Sequence, residues 1–277
     1  MKKLLKTDTA SVRTLAVALV FAALTTVLSF AQNGTPSSKA TAAYNSAVGC
    51  SITATGGTWT CADVFSGAAK PVTADNYVEV MGSTVKVSNS QSLFASTSLV
   101  TGLYSNTLVT TKPSKAAGGT NTSTATATGG VYLRAVLLDA PNGNPVMYGY
   151  PAAACDGATL GCFGTGPNSG VVLDSRVQTL TQSLSNCVVN VTVGGIAGTG
   201  TCDFTSTIQL ILQTTSAHGY NFIFPNVGVG TYYLSIQAAA DSGAVVNTGT
   251  GSAVGGAAYG LGSVTVESVR LVHDFSF

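Results

Sequence analysis

Six cysteines carry the clearest chemistry in this sequence: Cys50, Cys61, Cys155, Cys162, Cys187 and Cys202. An even number in an exported chain reads as a set of disulfides. Cys187 and Cys202 flank V-V-N-V-T-V-G-G-I-A-G-T-G-T. A two-residue turn at Gly194-Gly195 sets Val193 against Ile196, and equal steps outward set Cys187 against Cys202. Residues directly opposed on paired strands lie about 4.5–5.5 Å apart, within disulfide reach. Cys50 and Cys61 repeat the arrangement around Ala54-Thr55-Gly56-Gly57, with Trp59 inside the loop. Cys155 and Cys162 bracket the short segment D-G-A-T-L-G. The expected bridges are therefore Cys50–Cys61, Cys155–Cys162 and Cys187–Cys202. A metal site is the rival use of cysteine, but there is no C-x-x-C and the only histidines are His218 and His273. No metal and no cofactor is expected.

Catalytic chemistry is thinly represented. No G-x-S-x-G nucleophile elbow occurs, and neither histidine has a recognisable nucleophile beside it. His218, in S-A-H-G-Y, reads as a turn between two strands; His273 reads as part of the last strand. Asp139 with Asn142 and Asn144 loosely resembles a calcium loop, yet lacks the regular acidic spacing and the closing glutamate. Pro141 to Pro145 is better explained as turn chemistry. Neither a phosphate-binding P-loop nor a dinucleotide fingerprint is present.

Tyrosines offer an alternative to catalysis. Tyr104, Tyr132, Tyr148, Tyr150, Tyr220, Tyr232 and Tyr233 could stack on sugars, although packing within a sheet is their default use. Tyr148-Gly149-Tyr150-Pro151 reads as a loop leading into the Cys155–Cys162 bridge. Tyr148 and Tyr150 are therefore the expected contact loop for a ligand or partner.

The elements that must position these residues follow a basic, then apolar start. Lys2, Lys3, Lys6 and Arg13 precede an uncharged run from Leu15 to Leu28, and Ser29-Phe30-Ala31 has small residues where a signal peptidase needs them. Residues 1–31 are expected to be a cleaved signal peptide, leaving the mature chain to begin near Gln32 outside the cytoplasm. No membrane span is expected after cleavage. The remainder has eight Lys/Arg against ten Asp/Glu, a net charge of −2. Without a basic cluster, nucleic acid is excluded as a partner.

Only 8% of the residues are charged, where about a quarter is usual. Ser, Thr, Asn and Gly must supply the solubility. Residues 32–48 read as a disordered leader and 49–277 as one β-sandwich domain. Alternation and β-branched runs dominate over helical periodicity. They occur at Tyr77–Val87, Val131–Leu138, Val171–Leu184 (one strand or two), Thr207–Thr214, Tyr220–Phe224 and Val264–Phe277. Ala116–Gly130 reads as a low-complexity mobile loop and Asn247–Gly262 as a Gly-rich connection. Roughly ten strands with local turns predict an all-β antiparallel sandwich, stapled by disulfides.

Phe222–Ile236, F-I-F-P-N-V-G-V-G-T-Y-Y-L-S-I, resembles the F-x-F-x-N-hairpin-G-T-Y-x-L-x-I pattern of Ig-like and prealbumin-like sandwich modules in secreted bacterial proteins. The resemblance implies a hairpin turning at Val229-Gly230, with Gly230 at positive φ. It says nothing about activity.

The leading functional expectation is a secreted, non-catalytic protein with a binding, adhesive or surface-structural role. Its partner would be a polysaccharide or another cell-surface protein. An outer-membrane β-barrel is the first alternative, because Val269, Leu271, Phe275 and Phe277 alternate towards a terminal phenylalanine, with His273 as the one misfit. A secreted hydrolase is the second, and rests on compartment alone.

Overall fold

The computed structural model describes residues 40–45, 48–65, 70–71, 77–155, 160–164 and 169–269. The expected signal peptide, His273 and the terminal Leu271, Phe275 and Phe277 lie outside these residues. The described strands belong to one unit spanning Lys39–Phe277.

Alternation becomes long strands. One antiparallel sheet is built on β5 (Gln91–Thr111), β12 (Ser206–Val227) and β14 (Thr250–Val269), in the order β12-β5-β14. Beyond β14 it continues into β2 (Gly49–Ala54) and β3 (Lys70–Pro71), and β1 (Ala40–Asn45) also pairs with β14. The second sheet runs β4 (Val78–Val87), β13 (Gly230–Thr248), β6 (Thr120–Leu138), β9 (Gly170–Ser185) and β8 (Cys162–Phe163). There β7 (Pro145–Tyr148) lies against β6. Pairing is antiparallel throughout both sheets except for β2 with β3. A separate hairpin joins β10 (Val188–Val193) to β11 (Ile196–Thr201). Among the described residues both sheets are open, as in a sandwich rather than a closed barrel.

The inner faces of the two sheets make the core. Leu93, Leu99, Leu133, Leu137, Phe222, Phe224, Leu234 and Ile236 are fully buried in its main cluster. Towards the other end the core narrows to Val109, Ala125, Ala127 and Ala253. There the sheets approach at backbone distance. A Cβ on Gly129 would lie 2.5 Å from Gly256 O, and one on Gly255 would overlap Thr128 O and Gly243 O. A third cluster sits outside the first sheet. Cys50, Cys61, Phe65 and Tyr104 pack with Val254 and Ala258 beneath Trp59.

The three disulfides join Cys50 to Cys61, Cys155 to Cys162 and Cys187 to Cys202. Val193 faces Ile196 across Gly194 and Gly195, both at positive φ, and Cys202 N donates to Cys187 O at 3.1 Å. Cys61 is not on a facing strand. It begins a four-residue helix, α1 (Cys61–Val64), and meets Cys50 of β2 across the intervening bend.

Five expectations need correction. Ala40–Asn45, inside the segment read as a disordered leader, is a strand, because β14 offers a ladder from Gly262 to Glu267. Thr120–Gly130, within the expected mobile loop, is the first half of β6. Its alanines point inward while Thr122, Thr124 and Thr126 meet Ser183, Thr181 and Thr179 at 3.0–3.1 Å. Asn247–Gly262 is not a connection either; β13 and β14 run through it and turn at Gly249.

His218 lies inside β12 rather than in a turn. Finally, Phe222–Ile236 is not a hairpin. The chain leaves the first sheet after Val227 and enters the second at Gly230. Asn226 takes the positive φ, at 51°, and Gly230 does not take it. Gly230 instead lets the Tyr232 ring approach to 3.1 Å from where a Cβ would stand, and Tyr232 OH donates to Gly228 O across the corner.

Candidate functional site

Tyr148 and Tyr150 line one groove of about 500 Å³ with Val146, Met147, Ala153 and Pro225. Their positions are set from both sheets. Tyr148 ends β7, opposite Val136 of β6. Gly149 N donates to Ala135 O at 2.9 Å. Tyr150 N donates to Ile223 O at 2.9 Å, and Ile223 N returns a bond to Tyr150 O at 3.0 Å. Gly149 is required by packing, since a Cβ there would sit 2.9 Å from Phe224 Cζ and 3.1 Å from Phe222 Cβ. Both tyrosines are half-buried and face the groove from a segment tied to two sheets.

Sequence reasoning missed Arg134. Its guanidinium lies 4.1 Å from the centroid of the Tyr77 ring and 5.7 Å from that of Tyr148. Arg134 Nε also donates to Gln237 Oε1 at 2.7 Å. Burial lowers the guanidinium from its ordinary value, against the opposing influence of Tyr148 and Tyr77. A cation over these faces adds to the packing of the Tyr148 ring. The available signal was one arginine in the apolar run V-Y-L-R-A-V-L-L.

The other tyrosines have local structural work. Tyr132 stacks on Phe163 at 3.6 Å, Tyr104 packs beside Trp59, and Tyr220 packs beside Phe222. Tyr233 OH donates to Glu79 Oε1 at 2.7 Å. Burial pushes the Tyr132 and Tyr259 phenols up to about 12, with Asp241 adding to the effect at Tyr132; burial also raises Tyr77. Their folded values lie above the unfolded value near 10, so the neutral phenol is favoured by folding. That contribution is complete below about pH 10 and is lost as pH rises through about 12. The melting temperature, followed by circular dichroism, should therefore fall between about pH 10 and 12. An unchanged value across that interval would contradict the assignment.

A second polar cluster lines the side where β9 and β12 approach. Ser216 Oγ is 2.7 Å from His218 Nε2, while Asp174 Oδ2 is 3.3 Å from the same nitrogen. Thr101 Oγ1 donates to Asp174 Oδ2 at 2.6 Å. These residues have the types of a catalytic triad without its arrangement. In a triad the carboxylate holds one ring nitrogen and the serine meets the other. Here the carboxylate and hydroxyl converge on one nitrogen. The cluster extends a seam of side-chain bonds between the sheets. Gln178 accepts from Ser105 Oγ and donates to Thr107 Oγ1 and Leu210 O, while Gln182 donates to Ser206 Oγ.

Asp139 closes a turn, accepting from Asn144 N at 2.8 Å. No group of three or more His, Cys, Asp or Glu residues poised for a metal occurs among the described residues. Likewise, no helix among them is long and apolar enough to cross a membrane.

Fold and bridges define a class: an all-β protein of two open antiparallel sheets with three disulfides, a combination that fits an oxidising compartment. No protein-family model matches the chain, and no curated protein matches it in sequence.

Proposed function

We propose that this chain is a secreted, non-catalytic sandwich, located in the periplasm or at the cell surface, that binds a polysaccharide or a cell-surface protein. The observation carrying this reading is the Tyr148–Tyr150 groove, whose two rings project from backbone anchored to both sheets. Such a segment presents aromatic area with little further ordering cost on binding. Tyrosine combines a flat apolar face with a hydroxyl, matching the alternating apolar and polar surfaces of a sugar chain.

The test is retention on a panel of immobilised polysaccharides and cell envelopes. Changing Tyr148 and Tyr150 together to alanine should weaken retention at least about tenfold, with circular dichroism unchanged. His218→Ala should bind as the parent does. Full retention by the tyrosine variant, or no retention of the parent by any surface, would overturn the reading.

A hydrolase is the second reading, favoured by the Ser216–His218 contact. It predicts turnover of an ester, peptide or glycoside substrate, abolished by Ser216→Ala. The convergence of Asp174 and Ser216 on one ring nitrogen is the reason it ranks second.

A further inference from the structure

We infer that β12 is a self-association edge, onto which a second copy of this chain adds its own β12 antiparallel about a two-fold axis. This inference is independent of the tyrosine groove. Along one side β12 pairs with β5 from Ser206 to Val227. On the other, Ile223 exchanges two bonds with Tyr150, which fixes the direction of its backbone groups. Strand periodicity then directs the N–H and C=O of Thr207, Gln209, Ile211, Gln213, Thr215, Ala217, Gly219 and Asn221 towards that same side. Among the described residues no strand pairs with β12 there.

Long edges of this kind are normally blunted by charge, proline or a bulge. β9 carries Asp174 and Arg176, but from Phe204 to Ala240 there is no Asp, Glu, Lys or Arg. The β12–β5 register runs without a shift from Ser206 to Phe224. The same stretch exposes apolar side chains on both faces: Ile208 is 44% exposed, Leu210 39%, Ile211 53% and Leu212 43%.

The choice of occupant follows from that chemistry. An antiparallel strand edge is complementary to its own copy, since each N–H can meet a C=O across the axis. The strand's own residues include no Asp, Glu, Lys or Arg to repel a second copy, and the nearby charges of β9 are engaged within the chain, Asp174 with His218 and Arg176 with Thr214. Pairing centred near Leu210 sets Ile208 against Leu212 of the second copy on one face. It covers these side chains in the same step that satisfies the backbone.

The experiment measures mass in solution for the exported, disulfide-bonded chain, using chromatography with light scattering. The expected result is two chains per particle. Thr215→Pro removes an N–H that points to the open side, so it should give one chain while the β5 ladder persists. Ile211→Lys places a charge at an exposed position and should also give one chain, with an unchanged circular dichroism spectrum. If the proline variant fails to fold, the lysine variant decides. A parent of one chain, a mass ladder beyond two, or folded variants that stay at two chains would each overturn the inference. So would a mass explained by a different co-purified protein in place of the second copy.

Discussion

Gly255→Val should abolish folding, or lower stability by at least about 3 kcal/mol in denaturant melts. The reason is where the new atoms would go. Gly255 lies on β14 at the point where the sheets are closest, and its Cβ would overlap Thr128 O and Gly243 O of the facing sheet. Both obstacles are backbone atoms held in the β6–β13 ladder, so no rotamer change relieves the clash. Overpacking usually costs about 1–3 kcal/mol where side chains can yield; here the sheets themselves must separate. Opening them would also disturb the neighbouring contacts of Ala125, Ala127 and Ala253. Gly219→Val is the control. It lies on β12, where an added Cβ meets only Thr97 O at 3.4 Å. Equal melting midpoints for the Gly255 variant and the parent would show that the close approach is not what the glycine serves.

Phe224→Ala should cost about 3–5 kcal/mol, the range for losing a large buried aromatic and leaving a cavity. Phe224 is fully buried in the main core cluster, between strands of both sheets. Its ring edge also packs against Gly149, so the cavity would open beneath the segment carrying Tyr148 and Tyr150. Stability and binding should therefore fall together in this variant. Changing the two tyrosines should reduce binding alone. A Phe224 variant that melts within about 1 kcal/mol of the parent would place the ring outside the load of the core. One that is destabilised but binds normally would separate the groove from the packing behind it.

Parts of the fold and site were legible because their causes are local. The Gly194-Gly195 turn needs two positive-φ residues, and counting outward from it pairs Cys187 with Cys202 without knowledge of the rest of the chain. Tyr148 and Tyr150 stood out by their neighbours, and the structure brings them into one groove. The threonine–alanine alternation of Thr120–Thr128 was visible as well, but small residues score weakly as core. Only the glycine-rich strand opposite gives alanine something to fit. Arg134 lacked a signal of its own because its ring partners come from Tyr77 and Tyr148, on separate stretches of chain.

By itself the sequence determined the β class, the local disulfides and the scarcity of charge, because periodicity, turn chemistry and composition act over a few residues. Only the tertiary structure decided which sheet each strand joins. Phe222–Ile236 alternates as a hairpin would, yet its two halves lie in different sheets, since alternation specifies a buried face and not the neighbour along the edge. The same applies to Asp174 and His218, which meet across the seam between β9 and β12. That contact depends on how two sheets stack, and stacking is set by the volumes of side chains distant in sequence.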